Sequence, residues 1–91
     1  MDAKEFNECL KQLCIGDEKG LESIYYKYSQ LIKQIAYTNS INKSGAEEVL
    51  SAFFYFLKSQ APQLQGIIIS PDDWVFETVS SIVKSYKNRS K

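Results

Sequence analysis

The sequence predicts an all-α protein, a compact bundle of about four helices that forms a single domain over residues 1–91. Two observations carry this prediction. Four segments repeat their apolar residues with the 3.6-residue period of a helix, and helix-start signals precede three of them. The length of 91 residues fits one domain near the lower end of the usual size range.

The first two helices are predicted on either side of Gly16. This glycine ends the first helix, whereas Asp17 and Glu18 supply the acidic residues that favour the N-terminus of the second. Gly20 lies inside the second helix and costs about 1 kcal/mol relative to alanine. The first apolar stripe consists of Phe6, Cys9, Leu10, Leu13 and Cys14. The second consists of Leu21, Ile24, Tyr25, Tyr28, Leu31, Ile32, Ile35 and Ala36.

A loop over residues 38–43 leads to the third helix. Ser44 and Glu47 have capping-box spacing, which predicts the helix start at Ser44, and the dipeptide Ala61-Pro62 predicts its end. The inner face is formed by Ala46, Val49, Leu50, Phe53 and Leu57.

The run Phe53-Phe54-Tyr55-Phe56 places aromatic residues almost all the way round this helix. On its own the run also fits a strand, but the upstream cap favours a helix. A helix that is apolar on all sides is either buried all round or covered by a partner. We therefore regard Phe54, Tyr55 and Phe56 as a candidate partner interface, with complete burial as the alternative.

The fourth helix follows a connector over residues 63–70, which we predict to be a loop that packs Ile67, Ile68 and Ile69 against the core. Ser70 and Pro71, followed by two aspartates, form a strong helix-start signal. The apolar stripe of this helix contains Trp74, Val75, Thr78, Val79, Ile82, Val83 and Tyr86.

Composition excludes several classes of function. The chain has no histidine, so it lacks the commonest general base and zinc ligand. Its two cysteines, Cys9 and Cys14, have no metal-ligand spacing and are expected to be buried in the core as small apolar residues. Their small number favours a reducing compartment for the protein. Paired carboxylates occur only where a helix N-terminus explains them. We therefore expect neither an enzyme nor a cofactor or metal site. The polar N-terminus and the lack of a membrane-spanning run predict a cytoplasmic protein without a membrane partner.

Charge is balanced overall but unevenly distributed. Eleven Lys and Arg residues offset eleven Asp and Glu residues, which argues against a protein that wraps nucleic acid but leaves room for a local basic patch. After Glu77 the chain has no acid, and its basic residues are Lys84, Lys87, Arg89 and Lys91. These bases have two explanations: they complement the helix dipole, or they contact phosphate groups.

Three stretches of the chain share their order and spacing with one family. Residues 16–29 match an aspartate followed by an aromatic-rich helix. Residues 46–50 match the family's Ala-Glu-Asp-Leu-Val, with Phe54 on its next phenylalanine, and residues 74–76 match Trp-Leu-aromatic. From about Gly16 to Lys91 the chain therefore resembles the second domain of bacterial RNA polymerase sigma factors of the extracytoplasmic-function type.

The resemblance implies a helical bundle that docks on the clamp helices of core RNA polymerase and holds the −10 promoter element as a melted single strand. Promoter DNA is expected to bind weakly to this domain alone. An anti-sigma factor, or a partner that supplies −35 recognition, is a further implied partner, because no helix-turn-helix domain is present up to Lys91. The implied polymerase contacts are Glu47, Glu48 and Ser51. The expected DNA contacts are Trp74, Lys84, Lys87, Asn88 and Arg89.

Departures from the family pattern suggest a second hypothesis. Ser51 and Ala52 stand where the family has Gln-Glu, and Ser81 and Ser85 stand where it has Asn and Asp. The alternative is a sigma-derived protein-interaction module without promoter binding, which would form a homodimer or heteromer through residues 54–56. A helical domain with an accidental resemblance is the third possibility.

Overall fold

A computed structural model of the chain describes residues 1–89, and within them the predicted all-α fold is confirmed. Lys91, one of the predicted basic residues, lies outside the described residues. Four helices follow one another: α1 (Ala3–Cys14), α2 (Glu18–Thr38), α3 (Lys43–Leu64) and α4 (Pro71–Arg89). They form a bundle in which α2 and α3 pack against each other and against both α1 and α4. No helix in residues 1–89 has both the length and the apolar character needed to cross a membrane.

The turn between α1 and α2 forms where the sequence predicts it. Gly16 adopts a positive φ of 78°, and the Asp17 side chain accepts a hydrogen bond from the backbone N–H of Lys19 at 3.0 Å. Gly20 has a packing role that its helix propensity does not reveal. A β-carbon there would collide with the carbonyl oxygen of Cys9 and lie 2.9 Å from Cβ of Gln12. Because Gly20 has no side chain, α1 and α2 can approach closely.

Both predicted ends of α3 are wrong. The helix is capped by Asn42 rather than Ser44, because the Asn42 side chain accepts a hydrogen bond from the N–H of Gly45 at 2.8 Å. At the other end, α3 continues through Pro62 to Leu64. Ala61 is buried in the core, and this packing keeps the residue before the proline helical although sterics disfavour it.

The core lies between the inner faces of the four helices, and the predicted inner faces of α3 and α4 are confirmed. The buried apolar residues include Phe6, Leu10, Ile24, Tyr28, Ile32, Val49, Phe53, Leu57, Val75, Val79 and Val83. The Tyr28 hydroxyl donates a hydrogen bond to Asp72 Oδ1 at 2.6 Å, which ties α2 to the start of α4. Tyr25, predicted on the core stripe of α2, is instead about half exposed.

Two further predictions about burial are only partly correct. Cys9 is buried, but Cys14, in the last turn of α1, is exposed. Its sulfur accepts a hydrogen bond from the side-chain amide of Gln65. In the connector only Ile68 packs against the core, whereas Ile67 and Ile69 face solvent. Asn7 holds this connector to α1, since it accepts from the N–H of Gly66 at 2.8 Å and donates to the carbonyl of Ile68 at 3.4 Å.

Candidate interaction surfaces

The three predicted polymerase contacts lie together on the outer side of α3. Glu47, Glu48 and Ser51 are all exposed, and they line a groove of about 670 Å³ between the first half of α3 and the end of α4. The groove is completed by Ser44, Tyr86 and Arg89. We name these six residues the acidic groove.

A close approach between α3 and α4 shapes the acidic groove. Gly45 is buried under Tyr86, and a β-carbon on Gly45 would lie 2.7 Å from the Tyr86 hydroxyl oxygen. A side chain at position 45 would therefore displace the Tyr86 ring, which lines the groove. Tyr86 was predicted on the apolar stripe of α4, whereas no pattern in the sequence pointed to a role for Gly45.

Three of the five predicted DNA contacts share a second groove on another side of α4. Lys84, Lys87 and Asn88 line a cleft of about 380 Å³ together with Ser80 and Asn39, the residue that follows α2. Val83 forms its floor. We name this surface the basic groove. Ser80 was predictable from its position one helical turn before Lys84, whereas the contribution of Asn39 depends on how α2 packs against α4.

The other two predicted DNA contacts, Trp74 and Arg89, lie elsewhere. They line a groove of about 560 Å³ between α3 and α4. The Trp74 ring stacks on Phe56 with a centroid distance of 6.4 Å and an interplanar angle of 25°, and it also contacts Phe6 and Phe53. Trp74 is therefore half-buried in an aromatic cluster that joins three helices. Since each helical residue turns by about 100°, Trp74 and Arg89 lie roughly a quarter turn or more away from Lys84.

The two sides of α4 have opposite charge. The grooves between α3 and α4 are lined by three acids, Glu47, Glu48 and Glu77, against the single base Arg89. The basic groove is lined by two lysines, and none of its described residues is acidic. A phosphate group is therefore repelled by the first surface and attracted by the second.

The predicted partner interface is divided by the packing of α3. Phe54 is only 9% exposed and packs against Tyr25 and Phe53, with ring centroids 5.4 and 5.1 Å apart. Tyr55 is 77% exposed and Phe56 40% exposed. Of the three predicted residues, Tyr55 and Phe56 are thus available to another chain, whereas Phe54 is packed in the core.

Two side chains of the core, Tyr28 and Cys9, have raised pKa values. Burial raises the pKa of Tyr28, and its hydrogen bond to Asp72 raises it further. Burial likewise raises the pKa of the Cys9 thiol. Both groups are therefore held in their neutral forms at neutral pH, which suits packing residues rather than reactive ones.

No protein-family model, no curated protein and no solved structure matches this chain.

Proposed function

We propose that this chain is a sigma-like transcription factor domain that binds core RNA polymerase through one side and single-stranded promoter DNA through another. The observation that carries the proposal is the separation of charge across α4. The outer side of α3 presents Glu47 and Glu48, whereas the far side of α4 presents Lys84 and Lys87. A domain held between a protein and a nucleic acid needs two such surfaces.

The acidic groove is the side that faces the polymerase. Glu47 and Glu48 are exposed on a 22-residue helix whose inner face is fixed in the core. Their carboxylates are therefore held on a rigid element, which favours specific pairing with Lys or Arg side chains of a helical partner. Ser51 lies one turn further along the same stripe and leaves room for a partner side chain.

The basic groove is the side that faces DNA. Lys84 and Lys87 neutralise backbone phosphates, while the side chains of Asn39, Ser80 and Asn88 offer hydrogen bonds to phosphate or sugar oxygens. Two lysine contacts give weak binding that depends on salt, because affinity comes mainly from the release of condensed counterions. Weak binding suits a domain that meets promoter DNA only after the polymerase has delivered it.

Paired charge-reversal variants of the full chain test both surfaces. We expect K84E/K87E to lose binding to a fluorescent single strand carrying a −10 element and to retain core polymerase in a pull-down. We expect E47K/E48K to show the opposite pattern. The matched control is K27E, which reverses the charge of an exposed side chain on α2 and should change neither result. If the wild-type chain binds neither ligand at low salt, the proposal is wrong.

Salt dependence gives a second readout of the DNA surface. On a single strand each phosphate contact contributes a slope of about −0.7 to the plot of log K against log salt. Neutralising both lysines with K84Q/K87Q should therefore flatten the slope by roughly 1.4, whereas the R89Q variant should leave it nearly unchanged. An equal effect of R89Q would place the strand in the groove between α3 and α4 instead.

A second candidate function is a protein-interaction module that does not bind promoter DNA. The groove between α3 and α4 favours this alternative. It contains the acid Glu77, and Ser81 and Ser85 stand there in place of the Asn and Asp expected from the resemblance. The tryptophan in this groove is engaged in packing within the protein. Under this alternative the chain captures a protein partner, and the K84E/K87E variant has the same negligible DNA affinity as the wild type.

A further inference from the structure

The outer side of α3 carries a pattern that is complementary to itself. Six residues follow one another at alternating steps of four and three along the helix, so they form a single stripe on the side away from the core. In order they are Ser44, Glu48, Ser51, Tyr55, Lys58 and Pro62. All six are exposed. We name them the α3 stripe.

The α3 stripe is symmetric in sequence about position 53, which itself lies on the buried side of the helix. The residues before and after this position have opposite character. Glu48 lies five residues before this centre and Lys58 five residues after it. Ser51 lies two residues before it and Tyr55 two residues after it. When a second α3 packs antiparallel with its own position 53 opposite this one, each acid therefore faces a lysine and each serine faces a tyrosine.

We propose that a second copy of this chain docks on the α3 stripe in this antiparallel register and forms a two-fold dimer. A contact that pairs residue i with residue j, and j with i, closes on itself, and closed two-fold dimers are the commonest soluble oligomers. In residues 1–89, neither Glu48 nor Lys58 takes part in either of the ion pairs found. Both charges are thus available to the second copy.

The shape of the surface supports the same register. Tyr55 is 77% exposed, although the rings around it are packed together. In the antiparallel register the tyrosine of the second copy lies over Ser51, at the edge of the 670 Å³ acidic groove. A large side chain projecting from one helix and a groove beside a small residue on the other are the elements of knob-into-hole packing.

The dimer has a consequence for regulation, and this consequence rests on the proposed function. The contact covers Glu48 and Ser51, which belong to the surface assigned to the polymerase. A chain in the dimer therefore cannot present that surface, so that dimer formation and polymerase binding compete. The basic groove lies on another side of α4 and stays open in the dimer.

Charge exchange between two copies tests the register. In sedimentation equilibrium, we expect the mean mass of the wild-type chain to rise from 10.4 kDa towards twice that value as concentration increases. The E48K and K58E variants should each weaken association by about tenfold or more, because each change disrupts both symmetric pairs. An equimolar mixture of E48K and K58E restores both pairs in the heterodimer and should associate within about threefold of the wild type.

Three further measurements complete the test. The variant Y55A should also weaken association about tenfold, whereas Y26A, a loss of the 90% exposed tyrosine on α2, should not. Circular dichroism of each variant checks that it is folded, and rescue in the mixture shows the same for both charge variants. A wild-type chain that stays monomeric at millimolar concentration overturns the proposal. So does a dimer that E48K and K58E leave unchanged.

These experiments contain neither polymerase nor DNA. Failure of the dimer therefore leaves the proposed transcription function untouched. Conversely, a negative pull-down with core polymerase leaves the dimer proposal unaffected. Competition is measured separately, by asking whether Y55A, which disrupts the dimer, increases the capture of core polymerase at high protein concentration. A decrease in capture would instead show that Tyr55 belongs to the polymerase contact.

Discussion

The close crossing of α1 and α2 at Gly20 leads to a quantitative prediction about stability. In an exposed helix, replacing glycine by alanine stabilises by about 1 kcal/mol. At Gly20 the new methyl group would collide with the carbonyl oxygen of Cys9, which is backbone and cannot rotate away. The G20A variant therefore combines a gain in helix propensity with a packing conflict.

The conflict should outweigh the gain. Contacts of a β-carbon under 3.0 Å essentially never occur, so α1 has to move away from α2 by roughly half an ångström. A gap of that size forfeits about a quarter of the dispersion attraction between facing atoms. Overpacking of this kind costs about 1–3 kcal/mol, and we expect the upper half of that range because the obstacle is backbone. The net destabilisation of G20A is then about 1–2 kcal/mol.

Urea denaturation followed by far-UV circular dichroism measures this difference directly. Thermal unfolding gives a second measurement, because for a chain of this size each kcal/mol lost from the free energy of unfolding lowers the melting temperature by about 4–8 °C. The matched control is Q30A, an exposed change on the same helix, which should alter stability by less than about 0.5 kcal/mol. A G20A variant as stable as the wild type, or more stable, would refute the close helix crossing and the role given to Gly20.

Two further predictions concern the N-terminal cap of α3 and the buried tyrosine of α2. Asn42→Ala should lower the free energy of unfolding by about 1 kcal/mol because it removes the cap, whereas Ser44→Ala should be nearly neutral; the reverse order in urea denaturation would restore Ser44 as the cap. Tyr28 has a pKa raised above its ordinary value of 10.0, so the folded state retains its proton. This contribution to stability is complete below about pH 10 and is lost as pH rises towards the folded pKa. Tyr28→Phe should therefore make the alkaline loss of stability shallower, and an unchanged pH profile of the unfolding midpoint would contradict the assignment.

The fold was largely predictable because amphipathic periodicity reports which residues face the core. The buried stripe of α4 illustrates this. Val75, Val79 and Val83 are all buried, and their helical spacing can be read from the sequence of α4 alone. Boundaries were harder to predict. Ser44 has capping-box spacing, yet Asn42 lies two residues earlier and caps the helix. Local signals of similar strength compete at such positions, and tertiary packing decides between them.

The candidate surfaces were less predictable for a different reason. A linear stretch of bases says little about which side of a helix each base occupies. Lys84 and Lys87 share a groove, whereas Arg89 lies next to acids of α3. The helical period separates these residues, but only the positions of α2 and α3 show which neighbour each one meets. Trp74 was assigned to DNA through the resemblance, and its ring contacts with Phe56 could not be inferred from the chain alone.

The contacts of α1 show that the unit that folds is larger than the region on which the proposed function rests. The resemblance begins at about Gly16, after α1 has ended. Yet α1 places Phe6 and Leu10 in the core, and its Asn7 holds the connector that leads into α4. A fragment trimmed to the region of resemblance would expose the apolar faces of α2 and α3 and release that connector. The surfaces on α3 and α4 thus depend on a helix that takes no part in them.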